Sequence, residues 1–206
     1  DGRVLMPDGF AEAYRAYAEQ GWPGLTAPEE FGGQGFGTLM LAMTSEIFSG
    51  ANHSLQMVTG LVPGAIRTIL RFGTDDQKTR YIPSLASGET LATMCLTEPG
   101  AGSDLSRVRC RAKARANGWL INGEKIFISG GDQDMSERIL HLVLARTSDD
   151  GIKGLSLFLC PRTRTNGERT AVTVMRIEKK MGLQASPTCP VAFDAAAAEG
   201  LGGGGV

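Results

Sequence analysis

Apolar residues recur at helical spacing along the first part of the chain. Phe10, Tyr14 and Tyr17 stand at i, i+4 and i+7, and Gly21 with Pro23 closes that segment. Residues 28–37 include Glu-Phe-Gly-Gly-Gln-Gly-Phe-Gly and are predicted as a loop, because clustered glycines lose too much backbone entropy for helix or strand. A second helix is predicted over 38–49 with Leu39, Met43 and Ile47 on one face. A third starts at Asn52 as N-cap and carries Leu55, Val58, Val62, Ile66 and Ile69, with Pro63 expected to kink or split it. The fourth opens at Thr74 or Asp75 and closes by Gly88, a residue suited to a C-terminal cap.

From residue 91 the period becomes two. Val108, Cys110, Ala112 and Ala114 alternate with Arg107, Arg109, Arg111, Lys113 and Arg115, the pattern of a strand with one wet face. Asn117-Gly118 and Asn122-Gly123 predict hairpin turns around a short strand, 119–121. Further strands are predicted at 125–129, 139–146, 154–160, 171–177 and 189–194. The expected class is α+β: an all-α helical domain over 1–88, then a small antiparallel β-barrel or sandwich over 89–206.

Composition narrows the function. A 42% apolar fraction across 206 residues supplies a core, and a net charge of -1 gives no electrostatic case for nucleic acid or a membrane surface. The arginines at 107, 109 and 111 read either as a phosphate-binding strip or as a solvated strand face, and charges on alternate positions are more often the latter. Cys95, Cys110, Cys160 and Cys189 lie far apart in apolar runs, which suits buried, reduced thiols and a cytoplasmic protein. No metal set has ligand spacing, and His53 and His141 are read as structural. No run approaches the ~18 apolar residues of a membrane span, and no signal-peptide pattern opens the chain, so a soluble protein is expected. The start at Asp1 and the end in Gly-Leu-Gly-Gly-Gly-Gly-Val do not resemble natural termini.

The stretch 96–106, Leu-Thr-Glu-Pro-Gly-Ala-Gly-Ser-Asp-Leu-Ser, must break a strand at Glu98, because Pro99 cannot donate to a ladder and Gly100 and Gly102 permit a sharp turn. Its amides and the hydroxyls of Thr97 and Ser103 are placed either for an ordinary turn or for cradling an anion. Near it in function stands Phe127-Ile-Ser129. On a strand, Phe127 and Ser129 share a face, an aromatic beside a hydroxyl that suits a flat heteroaromatic ligand or, equally, a core phenylalanine before a turn.

The order of these segments carries a resemblance. Leu-Thr-Glu-Pro-Gly-Ala-Gly-Ser-Asp, Asn-Gly-Glu-Lys-Ile-Phe-Ile-Ser-Gly-Gly, Lys-Met-Gly-Leu-Gln-Ala-Ser-Pro-Thr and Val-Ala-Phe-Asp follow Pro-Glu-Glu-Phe-Gly-Gly and Gly-Thr-Asp-Asp-Gln-Lys. The chain resembles the acyl-CoA dehydrogenase family over its N-terminal helical and middle β-domains. Within that family Gly-Gly-Asp-Gln-Asp after Ser129, with Glu137 and Ser186-Pro-Thr-Cys, is most similar to the 3-methylmercaptopropionyl-CoA type.

The resemblance implies FAD, an acyl-CoA substrate oxidised at Cα–Cβ, an electron-transferring flavoprotein as acceptor, and a homo-oligomer, dimer or tetramer. Met94, Leu96, Thr97, Gly102 and Ser103 would line the flavin and its ribityl-pyrophosphate chain. Phe127, Ile128 and Ser129 would flank the isoalloxazine. Ser103 and Thr147 would meet the thioester and CoA, and Met57, Leu61 and Met94 would wall the acyl cavity. Many members have Trp and Thr where Phe127 and Ser129 stand, so a stacking face and a hydroxyl are kept and an indole N–H is lost. The glutamate base belongs to a C-terminal helical domain absent here, so no catalytic residue is assigned, and Glu98 is expected to be structural. A missing domain also implies an exposed apolar docking patch. An acyl-CoA oxidase and a non-catalytic acyl-CoA- or protein-binding module are the alternatives.

Overall fold

The computed structural model describes residues 3–164 and 167–203; both ends of the chain singled out above, the start at Asp1 and the close of the glycine run, lie outside them. Four α-helices come first, α1 Phe10–Glu19, α2 Thr38–Thr59, α3 Val62–Phe72 and α4 Asp75–Ala86. Seven strands follow: β1 Thr90–Cys95, β2 Arg111–Arg115, β3 Gly118–Ser129, β4 Arg138–Arg146, β5 Leu155–Pro161, β6 Val172–Val174 and β7 Thr188–Gly200. The class is α+β.

The helix punctuation follows side-chain chemistry. Asn52 is non-helical inside α2, and its Oδ1 accepts the amide of Leu55 at 3.1 Å, so it breaks the element and caps the second half. Pro63 lies in the first turn of α3, where its missing N–H costs nothing, and the third predicted helix is split there. Thr74 forms a capping box with Gln77 at the start of α4. Val58, Val62, Ile66 and Ile69 are buried as their spacing requires. Leu39, Met43 and Ile47 share a face as expected, yet they are 76%, 54% and 69% exposed, an apolar stripe that this chain leaves uncovered.

The sheet departs from the expected pattern in three places. β1 pairs with β4 in parallel, Thr90 opposite Arg138 through Cys95 opposite Val143, so the sheet is mixed and not wholly antiparallel. Alternation reveals a strand but not its direction, and the long stretch between β1 and β4 leaves room for a parallel return. Asn122-Gly123 is no hairpin turn. It is a register shift inside the single long strand β3, and the two short strands predicted at 119–121 and 125–129 are parts of one element. β2 begins at Arg111 instead of Val108, because the amides of Arg109 and Cys110 are drawn away by the Glu98 carboxylate. Pairings run from β4 through β2, β3, β7 and β5 back to β4, with β1 attached to β4 and β6 to β7. The β2–β4 junction is a single residue pair.

Two cores result. One fills the inside of the sheet with Cys95, Ile121, Ile128, Val143, Phe158, Cys189 and Val191. The other joins the outer face of β1, β4 and β5 to α3 and α4 through Leu91, Leu140, Leu142, Leu159, Ile66, Ile69, Ile82 and Leu85. β4 is covered on both faces, which is why its sequence is nearly continuously apolar. A polar clasp fixes the same junction: Glu199 of β7 accepts from Arg80 at 2.7 Å, from Gln77 at 3.3 Å and from Tyr81. Burial raises the Glu199 pKa, but these bonds outweigh it and hold the carboxyl below the usual range.

All four cysteines are free and buried. Desolvation pushes the thiols of Cys95 to about 12 and of Cys110 and Cys189 to about 11, so none supplies a thiolate near neutrality. His141 is fully buried, with Nδ1 2.8 Å from the Thr93 hydroxyl and Nε2 without a partner among the described residues. Desolvation lowers its pKa to about 4. An unfolded chain takes up this proton near ~6.5, so between that value and 4 the unfolded state binds more protons and stability falls as pH falls. Urea unfolding is expected to show a loss of about 3 kcal/mol across this window from His141 alone. His141→Phe should remove that part of the slope; an unchanged slope would assign it to other groups.

Candidate flavin-facing site

β1 ends at Cys95 and the chain turns at once. Glu98 and Ala101 exchange backbone bonds, Glu98 N to Ala101 O at 2.8 Å and Ala101 N to Glu98 O at 3.1 Å, which closes the turn around Pro99-Gly100. The predicted cradle of successive amides is therefore partly consumed. The amides of Glu98 and Ala101 are committed within the turn, whereas those of Gly102 and Ser103 bond to none of the described residues.

What locks the turn is a buried ion pair. Lys125, 0% exposed, donates to Glu98 Oε1 at 2.8 Å and to the Leu96 carbonyl at 3.0 Å. Glu98 also accepts the amides of Cys110 and Arg109 at 3.0 and 2.7 Å. A buried carboxylate held by an ammonium and two amides is a structural anchor, as expected of Glu98. Lys125 was legible in the sequence only as part of a motif. A charged residue on the inward positions of a strand was the available signal, since such a group requires an opposite charge nearby.

A bond from Ile126 N to Thr97 O at 2.8 Å sets the two segments side by side. Thr97 thus lies beside Ile126, next to Phe127 in the chain. Phe127 is 62% exposed and its φ is 60°, in a register shift between Lys125 and Ile128. A left-handed phenylalanine costs on the order of 1–3 kcal/mol, and such strain persists where the surroundings impose it, often at binding surfaces. Ser129 is half-buried on the same side, while the Ile128 side chain is buried in the sheet interior. With that side chain buried, Ile128 presents its backbone to the open edge, and the register shift between Lys125 and Ile128 is what turns both side chains inward.

Ser103 is exposed at the tip beyond the turn, and Asp104 beside it caps a short turn by accepting the amide of Ser106 at 3.1 Å. Thr147 stands apart at the end of β4, where its amide and hydroxyl donate to Gly154 O at 2.8 and 3.2 Å. The link between the two regions is Arg146. Its buried guanidinium donates to the carbonyls of Ser106, Val108, Ser148 and Gly151, a role the sequence did not announce. Arg107, Arg109 and Arg111 are exposed, the solvated face their spacing suggested. Met57 and Leu61 are half-buried and Met94 is 38% exposed. Among the described residues no three His, Cys, Asp or Glu side chains are grouped to hold a metal, and no helix is long and apolar enough to cross a membrane.

An exposed aromatic ring, a hydroxyl two residues on and amides without a backbone partner among the described residues stand in this part of the sheet. Comparison with known proteins gives the family. Residues 93–196 match the acyl-CoA dehydrogenase middle domain and residues 6–89 the acyl-CoA dehydrogenase N-terminal domain. The chain belongs to the acyl-CoA dehydrogenase family. It is 42% identical over 202 residues to 3-methylmercaptopropionyl-CoA dehydrogenase of Ruegeria pomeroyi, a match that takes in 94% of this chain and 34% of that protein. The crystal structure of acyl-CoA dehydrogenase from Geobacillus kaustophilus superposes with a TM-score of 0.83 at 25% identity, covering 99% of this chain and 52% of that one. An acyl-CoA dehydrogenase complexed with FAD from Bacillus anthracis gives 0.76 at 28% identity over 94% of this chain and 32% of its own. The chain thus spans about a third of the length of the curated relative it matches.

Proposed function

We propose that this chain is the substrate- and flavin-facing part of an FAD-dependent acyl-CoA dehydrogenase, divided into a helical domain over 1–88 and a β-domain over 89–206. A further C-terminal helical domain completes the enzyme. The observation that carries the reading is the placement of the 96–103 turn beside the Phe127–Ser129 edge, with the ring of Phe127 exposed and the turn locked by Lys125 and Glu98. FAD supplies a hydride acceptor for the β-carbon of the thioester. Phe127 would offer a face to the isoalloxazine and Ser129 a hydroxyl to its edge. Met94, Leu96 and Thr97 would line the ring, and the amides of Gly102 and Ser103 would hold the ribityl-pyrophosphate chain. Ser103 and Thr147 face the thioester and the CoA portion.

Glu98, the carboxylate of the turn, is engaged by Lys125 and two amides, which favours a structural role over that of a base. The family resemblance implies that a glutamate of a C-terminal domain takes the α-proton. The uncovered stripe of Leu39, Met43 and Ile47 supports docking of further protein on the helical domain, either that domain or a second copy in a homo-oligomer. An electron-transferring flavoprotein is the proposed acceptor, and four buried thiols suit a cytoplasmic setting.

The test is spectroscopic. The complete protein should bind FAD and lose the visible flavin band when an acyl-CoA is added without oxygen, with 3-methylmercaptopropionyl-CoA the first thioester to try. The 206-residue chain alone should leave the band unchanged. Rapid peroxide formation in air would move the assignment to an oxidase, and a complete protein that binds no FAD would sink it.

A further inference from the structure

The segment Gly-Gly-Asp-Gln-Asp after Ser129 has no part in the reading above. In the structure Asp132 is fully buried although it lies on a connection between β3 and β4. Its Oδ2 accepts the Val4 amide at 2.9 Å and its Oδ1 the Gln133 amide at 2.8 Å. Arg162, at the end of β5, forms an ion pair with it, and Arg3 Nε stands 3.8 Å away. Three segments remote in sequence meet on this one side chain.

Residues 3–6 lie across the connection as a strap. Met6 donates its amide to Asp134 Oδ1 at 3.0 Å, Arg3 donates to the Gln133 carbonyl, and the Val4 side chain sits in the sheet core. The connection is stiffened from within by Gln133, also fully buried, whose Oε1 accepts the amides of Met135 and Ser136 at 2.6 and 2.9 Å. A buried carboxylate survives only when paired, so a plain connection has no use for one.

Two glycines alone separate Asp132 from Ser129. They bring no side chain to hold the strand exit, which is held by backbone pairing alone, Ser129 opposite Thr188, Gly130 N to Pro187 O at 2.8 Å and Gly131 N to Ile128 O at 3.3 Å, until the Asp132 junction fixes it by side chains. We propose that Asp132, clamped between the strap at residues 3–6 and Arg162, is a positioning residue for the Phe127–Ser129 edge. It acts through the strand exit, fixing where the Ser129 hydroxyl and the Phe127 ring stand. The inference rests on the reading of that edge as flavin-facing.

The experiment uses the complete flavoprotein with Asp132→Asn, Arg3→Met and, as a control remote from the edge, Thr74→Ala, which removes the α4 capping box. The flavin absorption band, kcat, KM and Tm are measured for each. Asp132→Asn should shift the flavin band and lower kcat about tenfold or more while KM changes less than about twofold, since small misplacement near reacting atoms costs rate more than binding. Arg3→Met, which leaves the Arg162 pair intact, should shift both in the same direction by less. Thr74→Ala should lower Tm alone. If Asp132→Asn lowers Tm but leaves the band and kcat at wild-type values, the positioning role is overturned and Asp132 is structural. If that variant does not fold, Arg3→Met decides, and an unchanged band and kcat overturn the proposal. A wild-type protein without bound FAD overturns the flavin reading and this inference with it, before any variant is compared.

Discussion

Lys125→Met is expected to destabilise the protein by about 3–5 kcal/mol, the cost of removing one partner from a buried ion pair. Methionine replaces the bulk of the side chain, so little cavity forms. What is left is the Glu98 carboxylate, 6% exposed, facing apolar sulfur with two backbone amides as its remaining donors. The Leu96 carbonyl loses its donor as well. Urea unfolding checks the magnitude, and the double variant Glu98→Gln with Lys125→Met should recover part of the loss, because the stranded charge is gone. A cost below about 1 kcal/mol would place the pair with surface salt bridges and sink the argument. In the complete flavoprotein the same substitution should weaken FAD binding, since the 96–103 turn is held to β3 through this lysine.

Gly123→Ala is expected to cost about 3 kcal/mol or more, from backbone strain together with overpacking. The residue sits at φ 142°, and an added Cβ would stand 2.8 Å from the Cys110 Cα and 3.0 Å from its Sγ. The Cys110 Cβ is also 3.0 Å away, and Cα and Cβ are fixed by the backbone, so one of the two segments must move. Gly32→Ala is the comparison: its φ is 82° but nothing lies within 4 Å of the added Cβ, so it should cost about 1–2 kcal/mol from the left-handed conformation alone. Equal losses in thermal or urea unfolding would remove the steric part of the explanation. The consequence reaches the site, because the shift at Gly123 sets the register in which β3 delivers Lys125, Phe127 and Ser129.

The helical part was legible from residues 10 to 88 because its signals are local. Asn52 and Thr74 satisfy helix-end amides within three residues of themselves, and Pro63 acts on its own backbone. The candidate site was legible for a related reason: Pro99 with its flanking glycines forces a turn wherever it falls, and the ordered motifs named the turn and the 127–129 edge together. Less was legible where one residue type serves two geometries. Asn-Gly encodes positive φ, which a hairpin and a bulge both use, and nothing within 117–123 distinguishes them.

By itself, then, the sequence determined the helical half, the rough places of the strands and the sharp turn after Cys95. Those follow from periodicity and from residues whose conformational preferences do not depend on distant partners. The tertiary structure decided the parallel pairing of β1 with β4, the union of two short strands into β3, the inward turn of Ile128, and the anchoring of the site by Lys125, Arg146 and Asp132. Each of these depends on which group meets a buried charge or an unpaired backbone atom across dozens of residues. That meeting is set by desolvation, which only the folded chain imposes.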